Sequence, residues 1–145
     1  MDKKDIKLIS ILTEDARKTL QELADELGLS VSSIHKRIRK LEKEVIERYT
    51  VMLNPEKFNQ ITAFLLLSAR DPKRIAEELK GIPQIIELYQ TFGNFNFILK
   101  TRGGSIEEIS EITNKISSID GVEMVECIVA TKRLKEAPWK PEVRL

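Results

Sequence analysis

The most concentrated set of chemically active side chains lies at residues 30–43, which read SVSSIHKRIRKLEK. This stretch carries five Lys/Arg residues and one Glu, and three serines stand near its beginning. Ammonium and guanidinium groups bind phosphate and carboxylate oxygens, and hydroxyl groups both donate and accept hydrogen bonds. The formal net charge of the chain is only +1. A polyanionic partner would therefore have to be attracted by this patch and not by the molecule as a whole.

Other kinds of site have little support in the sequence. Cys127 is the only cysteine and His35 the only histidine. These counts exclude a disulfide framework, a zinc finger and a cysteine–histidine pair formed by sequence neighbours. Gly103 and Gly104 form an isolated turn and not a phosphate-binding loop. We therefore expect no enzyme activity, no metal site and no cofactor.

Three short helices are predicted to position the basic stretch. The apolar residues of 5–12 recur at helical spacing and predict the first helix. Thr19 and Glu22 have the spacing of a capping box, so a second helix is expected from there to about Leu27. Gly28 adopts a positive φ at little cost, and Ser30 is a favourable N-cap for a third helix.

A helical wheel divides the third helix into an apolar side and a basic side. With about 100° per residue, Val31, Ile38 and Leu41 fall within about 60° of Ile34 and form the predicted buried stripe. The opposite side carries Ser32, Lys36, Arg39 and Lys43, with Lys40 and Ser33 on one flank and His35 and Arg37 nearer the apolar edges. Two helices joined by a short turn, with the second one basic on its outer side, predict a helix-turn-helix that enters the major groove of DNA.

Nine residues are predicted to bind DNA: Ser30, Ser32, Ser33, His35, Lys36, Arg37, Arg39, Lys40 and Lys43. Side chains near the start of such a helix meet base edges, and longer cations farther along reach phosphates. The predicted base readers are Ser32, Ser33, His35 and Lys36, and the predicted phosphate contacts are Arg39, Lys40 and Lys43. Arg37 is also expected to pair with an acid of the first helix, and His35 is either a DNA contact or a solvated flank. The alternative for the whole side is an ordinary basic surface.

Two half-units of similar pattern make up the C-terminal half. The strand-like segments are 62–70, 85–90, 95–102 and 122–131. A helical segment lies within each pair, one opened by Asp71 as cap and Pro72 as first helical residue, the other by a capping box at Ser105 and Glu108. The order βαββαβ predicts a ferredoxin-like sheet with both helices on one face. Apolar strand residues on both faces predict that a second subunit covers the other face.

The periodicity fades over residues 49–60, where Asn54-Pro55 marks a turn. We therefore predict a helix-turn-helix domain at 1–48, a linker strand or hinge at 49–60, and an effector-binding and assembly domain at 61–145. The longest apolar run, 63–67, is far too short for a membrane span, and the N-terminus does not resemble a signal peptide. A cytoplasmic protein without a membrane partner is expected.

The segment LADELGLSVSSIHKRIRKLE at 23–42 and the later GNFNFIL at 93–99 resemble the leucine-responsive/asparagine regulator (Lrp/AsnC) family, over nearly the whole chain. The resemblance implies an α+β fold, with an N-terminal winged helix-turn-helix domain and a C-terminal ferredoxin-like βαββαβ sensor and oligomerisation domain. It also implies homodimers formed through the sheet, higher assemblies such as octamers, and in many members an amino acid bound between subunits.

The function indicated is that of a sequence-specific DNA-binding transcriptional regulator, modulated by an amino acid or other small molecule bound between subunits. The alternative is a small-molecule-sensing or assembly protein without its own DNA-binding activity. The intact cationic side of the third helix argues against that alternative.

The effector-binding residues implied by the resemblance are Gly93, Asn94, Asn96, Val125 and Cys127. The family's loop usually reads glycine, two residues, then aspartate, and this chain has Asn96 in place of the aspartate. Asn96 offers a neutral acceptor where a carboxylate would pair with an α-ammonium group. Val125 and Cys127 stand where the family often has threonines. Two interpretations stay open: a different or absent ligand, or a tight turn at a subunit contact.

Three further positions carry expectations. Glu44 and Asn59 stand where the family usually has glycine; Asn59 tolerates a positive φ, whereas Glu44 leaves the end of the third helix unsettled. The tail at 136–145 is not expected to be helical throughout, because it contains two prolines. Trp139 within it is expected to pack on the body of the protein or on a neighbouring subunit.

Overall fold

The computed structural model describes residues 1–142 of the 145-residue chain. Its helices are α1 (Lys3–Glu14), α2 (Leu20–Leu27), α3 (Val31–Glu44), α4 (Pro72–Lys80) and α5 (Ile106–Ser117). Its strands are β1 (Ile61–Ala69), β2 (Ile85–Gln90), β3 (Phe97–Gly103) and β4 (Val122–Val129), and a short 3-10 helix spans Pro55–Phe58. The chain forms two compact units: Met1–Met52 with the tail from Lys135 onward, and Leu53–Leu134.

Local capping bonds fix where the first three helices begin. The Thr19 hydroxyl accepts from the Glu22 backbone N–H at 3.1 Å, and the Glu22 carboxylate accepts from the Thr19 N–H at 3.1 Å, which confirms the predicted capping box. The Ser30 hydroxyl accepts from the Ser33 N–H at 3.1 Å and so caps α3. Asp2 caps α1 in the same manner, a cap that the sequence analysis did not predict.

Gly28 forms the turn between α2 and α3. Its φ of 65° lies in the left-handed region, and its N–H donates to the carbonyl oxygen of Ala24. Leu29 follows and donates to the same carbonyl oxygen at 3.0 Å. Only residues 28–30 separate the two helices, and the predicted helix-turn-helix is confirmed.

A small apolar core holds α1, α2 and α3 together. Its buried members are Leu8, Leu23, Ala24, Ile34 and Leu41. Ile34 and Leu41 belong to the predicted buried stripe of α3, and Ile38 packs against the same core. Val31 was predicted to be buried and is instead 38% exposed, because it is the first residue of α3 and follows the exposed turn.

Residues 45–54 form neither helix nor strand. They contain no wing hairpin of the kind implied by the resemblance and no strand, so of the predicted linker strand or hinge the hinge stays a prediction. The physical reason is that a hairpin needs a turn residue between its strands, and residues 45–53 hold no Gly, Asn, Asp or Pro. α3 ends at Glu44 without a left-handed residue, since Val45 has a φ of −129°. Asn59 adopts a φ of 53°, as expected of a residue that replaces a glycine.

The second unit is a four-stranded antiparallel sheet with strand order β2-β3-β1-β4, the order of the predicted ferredoxin-like fold. The inner strand β1 pairs with β3 and with β4. Its Leu65 lies opposite Leu99 of β3 on one side and Cys127 of β4 on the other. Alternate residues of β1 and β3 are buried against α4 and α5, in a core whose members include Ala63, Leu65, Leu67, Ile75, Leu79, Phe97, Leu99, Ile109, Ile112 and Ile116. Both helices therefore cover one face of the sheet, as predicted.

The helices of the second unit begin in two different ways. Asp71 was predicted to cap α4, but it adopts a left-handed φ of 50° and its side chain makes no capping bond. That conformation places its carboxylate 3.7 Å from Arg74, one turn into the helix. At α5, Ser105 accepts from the Glu108 N–H at 3.1 Å as predicted, whereas the Glu108 carboxylate bonds Gly104 N at 2.6 Å instead of Ser105 N.

The sheet face opposite the helices, called the open face below, is apolar along its middle. Its apolar side chains, from the strand register, are Phe64, Leu66, Tyr89, Ile98, Met124 and Ile128. Tyr89, Met124 and Ile128 are each between 49% and 59% exposed. Glu87 and Lys100 form an ion pair of 3.0 Å on the same face. Apolar surface of this kind on a sheet is characteristic of a face that another protein surface covers.

The tail returns to the first unit and lies along α1. The Ser10 hydroxyl donates to the carbonyl oxygen of Pro141 at 2.7 Å, and Lys140 forms an ion pair with Glu14. Trp139 is 84% exposed, so the structure does not show the expected packing on the body of its own chain, and packing on a neighbouring subunit stays a prediction. The last residues of the predicted tail, 143–145, lie outside the described residues.

Candidate nucleic-acid interface

The exposed side of α3 carries the basic residues that the wheel placed there. Lys36, Arg39, Lys40 and Lys43 are all exposed, while Ile34 and Leu41 on the other side are buried in the core. The core therefore fixes which side of α3 faces outward. His35 is also exposed, so its assignment as a DNA contact or a solvated flank stays a prediction.

The four outward cations have no acidic partner in the part of the chain that the structure describes, since no ion pair of residues 1–142 includes Lys36, Arg39, Lys40 or Lys43. The ion pairs described for this unit are formed by other cations, such as Lys18, which lies 2.7 Å from Glu26. An unpaired cation keeps its full charge for an external anion. The arrangement is suited to the phosphates of a duplex.

The serines at the start of α3 are not equivalent. Ser30 caps the helix, and its hydroxyl lies 3.4 Å from that of Ser32. Ser32 is exposed, whereas Ser33 is half-buried and its backbone N–H is bound to Ser30. The hydroxyl of Ser30 is thus already occupied, and Ser32 and Ser33 are freer to reach base edges. Contact of any of the three with DNA stays a prediction.

Arg37 forms the ion pair with the first helix that the sequence analysis expected. Its Nη1 lies 2.9 and 2.8 Å from the two carboxylate oxygens of Asp2 and 2.8 Å from Oδ1 of Asp5. The hydrogen bond from Arg37 lowers the pKa of the Asp2 carboxyl to about 2, and the same bond raises the pKa of Arg37. Its predicted role as a DNA contact remains untested, and its geometry shows a different use.

Asp2 and Asp5 were missed as functional candidates by the sequence analysis. Their spacing of three residues at the start of a helix resembles a capping box with aspartate at both positions. That signal was available in the sequence. It predicts a cap, but it does not indicate that a cation of α3 binds the same carboxylates.

The predicted effector residues lie near one end of the sheet. Gly93 and Asn94 are exposed in the turn between β2 and β3, where Gly93 has a φ of 104°. Asn96 and Val125 flank Leu67 of β1, because Asn96 N donates to the Leu67 carbonyl at 2.6 Å and Val125 is opposite Leu67 in the β1–β4 register. Cys127, two residues farther along β4, is exposed. The structure thus places Asn96 and Val125 on either side of the same residue of β1.

Asn96 closes the end of the β1–β3 pairing. Its side-chain oxygen accepts from the backbone N–H of Ala69 at 2.5 Å. Its own carbonyl accepts from Thr91 N at 2.7 Å, and the Thr91 hydroxyl donates to the Phe95 carbonyl at 2.8 Å. The oxygen that replaces the family's carboxylate therefore already has a structural partner.

We expect Asn96→Ala to lower the free energy of unfolding by about 1–2 kcal/mol, because it leaves the Ala69 N–H without its partner. Asn96→Asp keeps an acceptor at the same place and is expected to stay within about 0.5 kcal/mol of the wild type. Urea unfolding followed by circular dichroism measures both values. Equal losses for the two variants would show that the side-chain oxygen does not hold this end of the sheet.

A cavity of about 660 Å³ lies elsewhere, within the first unit. The end of α1, the linker and the tail line it, with apolar contributions from Leu12, Ile46, Tyr49 and Met52. None of the five predicted effector residues borders it. A site formed between subunits would not appear as a cavity of one chain, so this volume is no guide to the effector site.

None of the helices formed by residues 1–142 combines the length and the apolar composition that a membrane span requires. The same residues contain no group of three or more His, Cys, Asp or Glu side chains that could hold a metal ion.

Comparison with known protein families gives matches over both units. Residues 1–42 match the AsnC-type helix-turn-helix domain, and residues 62–140 match the Lrp/AsnC ligand binding domain. The two matches leave residues 43–61 and 141–145 uncovered. They therefore agree with the order of helix-turn-helix and sheet seen in the structure.

Individual proteins show the same likeness along their whole length. The HTH-type transcriptional regulator FL11 of Pyrococcus furiosus is 34% identical, covering 97% of this chain and 96% of its own. The crystal structure of an AsnC family transcriptional regulator from Agrobacterium tumefaciens superposes with a TM-score of 0.88 at 26% identity, over 97% of both chains. The complex of the transcriptional regulator NMB0573 from Neisseria meningitidis with L-Met gives 0.87 at 26% identity, over 97% and 96%.

The helix-turn-helix domain and the ligand-binding domain of this chain thus occur in the same order as in proteins named as transcriptional regulators. That family consists of transcriptional regulators and not of enzymes. The chain belongs to the Lrp/AsnC family and is a DNA-binding transcriptional regulator with a ligand-binding domain.

Proposed function

We propose that α3 recognises its operator by lying in the major groove, with three of the four cations of its exposed side on the phosphates. The observation that carries this proposal is the set of four exposed cations without acidic partners among the described residues, opposite a buried apolar stripe. The groove is about 12 Å wide and admits one helix. Ser32, Ser33, His35 and Lys36 would meet base edges, and Arg39, Lys40 and Lys43 would meet phosphates.

We infer that the protein is a homodimer built through the open face, with an octamer as the expected higher assembly. A second copy suits this face because its apolar residues are accompanied by charges of both signs, including the Glu87–Lys100 pair. Contacts across a two-fold axis are reciprocal, so a patch with charges of both signs can place Glu87 of one copy near Lys100 of the other twice over. Two recognition helices related by that axis would read a roughly palindromic operator.

The effector is proposed to be an amino acid or a related small molecule held between subunits near Gly93, Asn94, Asn96, Val125 and Cys127. The L-Met complex of the Neisseria relative supports an amino acid as the class of ligand. With Asn96 bonded to Ala69 and no carboxylate at that position, recognition of an α-ammonium group would rely on backbone carbonyls. The functional boundaries 1–48, 49–60 and 61–145 stay part of the proposal, as does a cytoplasmic location, where a bacterial or archaeal chromosome lies.

Selection of bound sequences from a random duplex pool tests the proposed function directly. The wild type is expected to enrich a roughly palindromic motif. When amino acids are added one at a time, only the effector is expected to change the amount of bound DNA that is recovered. Absence of any enriched motif at low salt would contradict the proposal. The alternative of a sensing protein without DNA binding predicts that outcome.

Replacement of Lys36 by glutamine is expected to change which base is preferred at one position of each half-site, by about 1–3 kcal/mol of discrimination. The reason is that Lys36 lies in the second turn of α3 on its exposed side, where base edges are within reach. Competition between the selected operator and single-base variants of it measures the change. Ser33→Ala is expected to act in the same way, and a uniform loss on all sequences would contradict the assignment of either residue.

A further inference from the structure

Three residues join the start of α1 to the middle of α3 in a closed set of bonds, called the clasp below. Nη1 of Arg37 contacts both carboxylate oxygens of Asp2 and Oδ1 of Asp5, all at 2.8–2.9 Å. The other oxygen of Asp5 accepts from Asp2 N at 3.0 Å, and Oδ1 of Asp2 accepts from Asp5 N at 2.9 Å. Each carboxylate is thus bound both by its own helix end and by the guanidinium of α3.

Asp5 is the most buried charged side chain in the ion pairs described for the first unit, whereas Asp2, the other carboxylate of the clasp, is 56% exposed. The Asp5 side chain is 11% exposed and the Arg37 side chain 27%. The Lys18–Glu26 pair, by comparison, makes one contact between side chains that are 28% and 43% exposed. A hydrogen-bonded charge pair that is shielded from water resists screening by salt, and removal of one partner leaves the other poorly solvated.

The position of Arg37 on α3 gives the clasp a directional effect. Ile34 and Leu41 hold α3 on the core through apolar contacts, which are non-directional. Arg37 lies between them in sequence, and its hydrogen bonds require a defined direction between donor and acceptor. The clasp therefore limits rotation of α3 about its own axis. That rotation decides how Lys36 and Ser33 point toward bases.

We propose that Asp2, Asp5 and Arg37 form a positioning device for the recognition helix. In this role Arg37 acts through α1 and does not contact DNA. The inference rests on the proposed docking of α3 in the major groove. It predicts that the clasp contributes to discrimination between operator and other DNA, and not to the electrostatic attraction common to all DNA.

Asp5→Asn tests the proposal because it removes a partner of Arg37 while it keeps the Arg37 charge. The amide oxygen can accept from Asp2 N or from Arg37, but its NH₂ group cannot accept at all. We expect affinity for the selected operator to fall about 10-fold, with affinity for an unrelated duplex unchanged. The slope of log K against log salt should also stay unchanged. If Arg37 were a phosphate contact, its release would leave operator affinity equal or higher, and that result would overturn the proposal.

Substitutions of Arg37 itself supply the complementary measurement. All three contacts of Arg37 come from Nη1, whose two N–H groups serve three oxygens, and a lysine ammonium carries three donors on one nitrogen. Arg37→Lys is therefore expected to recover operator discrimination to within about threefold of the wild type, whereas Arg37→Met loses it. A phosphate contact would instead predict that Met lowers the salt slope by about 0.9 and weakens binding to both duplexes.

Glu26→Gln is the matched control, because it breaks an ion pair of the same unit that does not involve α3. It is expected to leave discrimination unchanged. Thermal unfolding of every variant identifies those that are folded at the assay temperature. If Asp5→Asn is not folded, the salt slope of Arg37→Met, compared with that of Arg37→Lys, decides between the clasp and a phosphate contact. A wild type that does not discriminate between duplexes would contradict the proposed function, whereas a wild type and Asp5→Asn that discriminate equally would contradict only the clasp.

Discussion

Simultaneous replacement of Arg39 and Lys43 by glutamine is expected to weaken binding to every duplex, operator or not. Both side chains are exposed on α3 and have no acidic partner in residues 1–142. Each phosphate contact contributes about 0.9 to the slope of log K against log salt, so the slope should fall by about 1.8 per recognition helix. Because the electrostatic contribution vanishes near 1 M salt, this corresponds to a loss of roughly 60-fold at 0.1 M. Fluorescence anisotropy at several salt concentrations measures both quantities.

A control variant with the same change in net charge distinguishes direct contact of α3 with phosphates from a general electrostatic attraction between protein and DNA. Lys73 on α4 and Lys115 on α5 are exposed cations of the other unit. Their double replacement by glutamine is expected to leave the salt slope within about 0.3 of the wild type, because the proposed phosphate contacts come from α3 and neither residue belongs to it. Equal losses for the two double variants would mean that DNA responds to net charge and not to α3.

The helices of the first unit could be predicted from local sequence because their signals are local. Thr19 and Glu22 bond each other's backbone across one turn, and Gly28 supplies its φ of 65° within the turn itself. Such features depend on residues three or four positions apart. The same holds for the exposed cations of α3, whose side of the helix follows from the period of Ile34, Ile38 and Leu41.

Other features depend on distant parts of the chain and had no local signal. The hydrogen bond from Ser10 to Pro141 joins residues 131 positions apart, and nothing near either residue indicates it. Asp71 shows the converse error: its position before Pro72 is a good local signal for a cap. In the structure, however, Asp71 has a left-handed backbone and does not cap α4. The backbone N–H of the preceding residue, Arg70, donates to the carbonyl oxygen of the distant Gly121 at 2.8 Å.

The effector residues were predictable only in part for a further reason. The resemblance located Asn96 and Val125, and the structure brings them to one level of the sheet. The sequence did not indicate that the Asn96 oxygen accepts from Ala69, because that bond depends on the register of β1 and β3. A binding site formed between subunits depends additionally on a surface that one chain does not contain.

Introduction of a charge on the open face is expected to have the second large effect, dissociation of the proposed dimer. Ile128 of β4 lies opposite Phe64 of β1 in the sheet register and is 49% exposed in the single chain. At a two-fold interface, Ile128→Glu would bury two carboxylates without partners, at a cost of several kcal/mol. The variant should therefore sediment as a monomer at micromolar concentration, where the wild type sediments as a dimer or larger species. A monomer engages one half-site, so operator affinity should fall by about 10²–10⁴ while the preferred half-site stays the same.

Ile106→Glu provides the comparison for this variant, because Ile106 is 51% exposed but lies on α5 and not on the open face. A glutamate in the first turn of a helix is favourable to the helix dipole. The variant is expected to keep the oligomeric state and the operator affinity of the wild type. If Ile128→Glu also remained a folded dimer, the open face would not be the interface. In that case the surface around Trp139, which is 84% exposed, would be the next candidate for contacts between subunits.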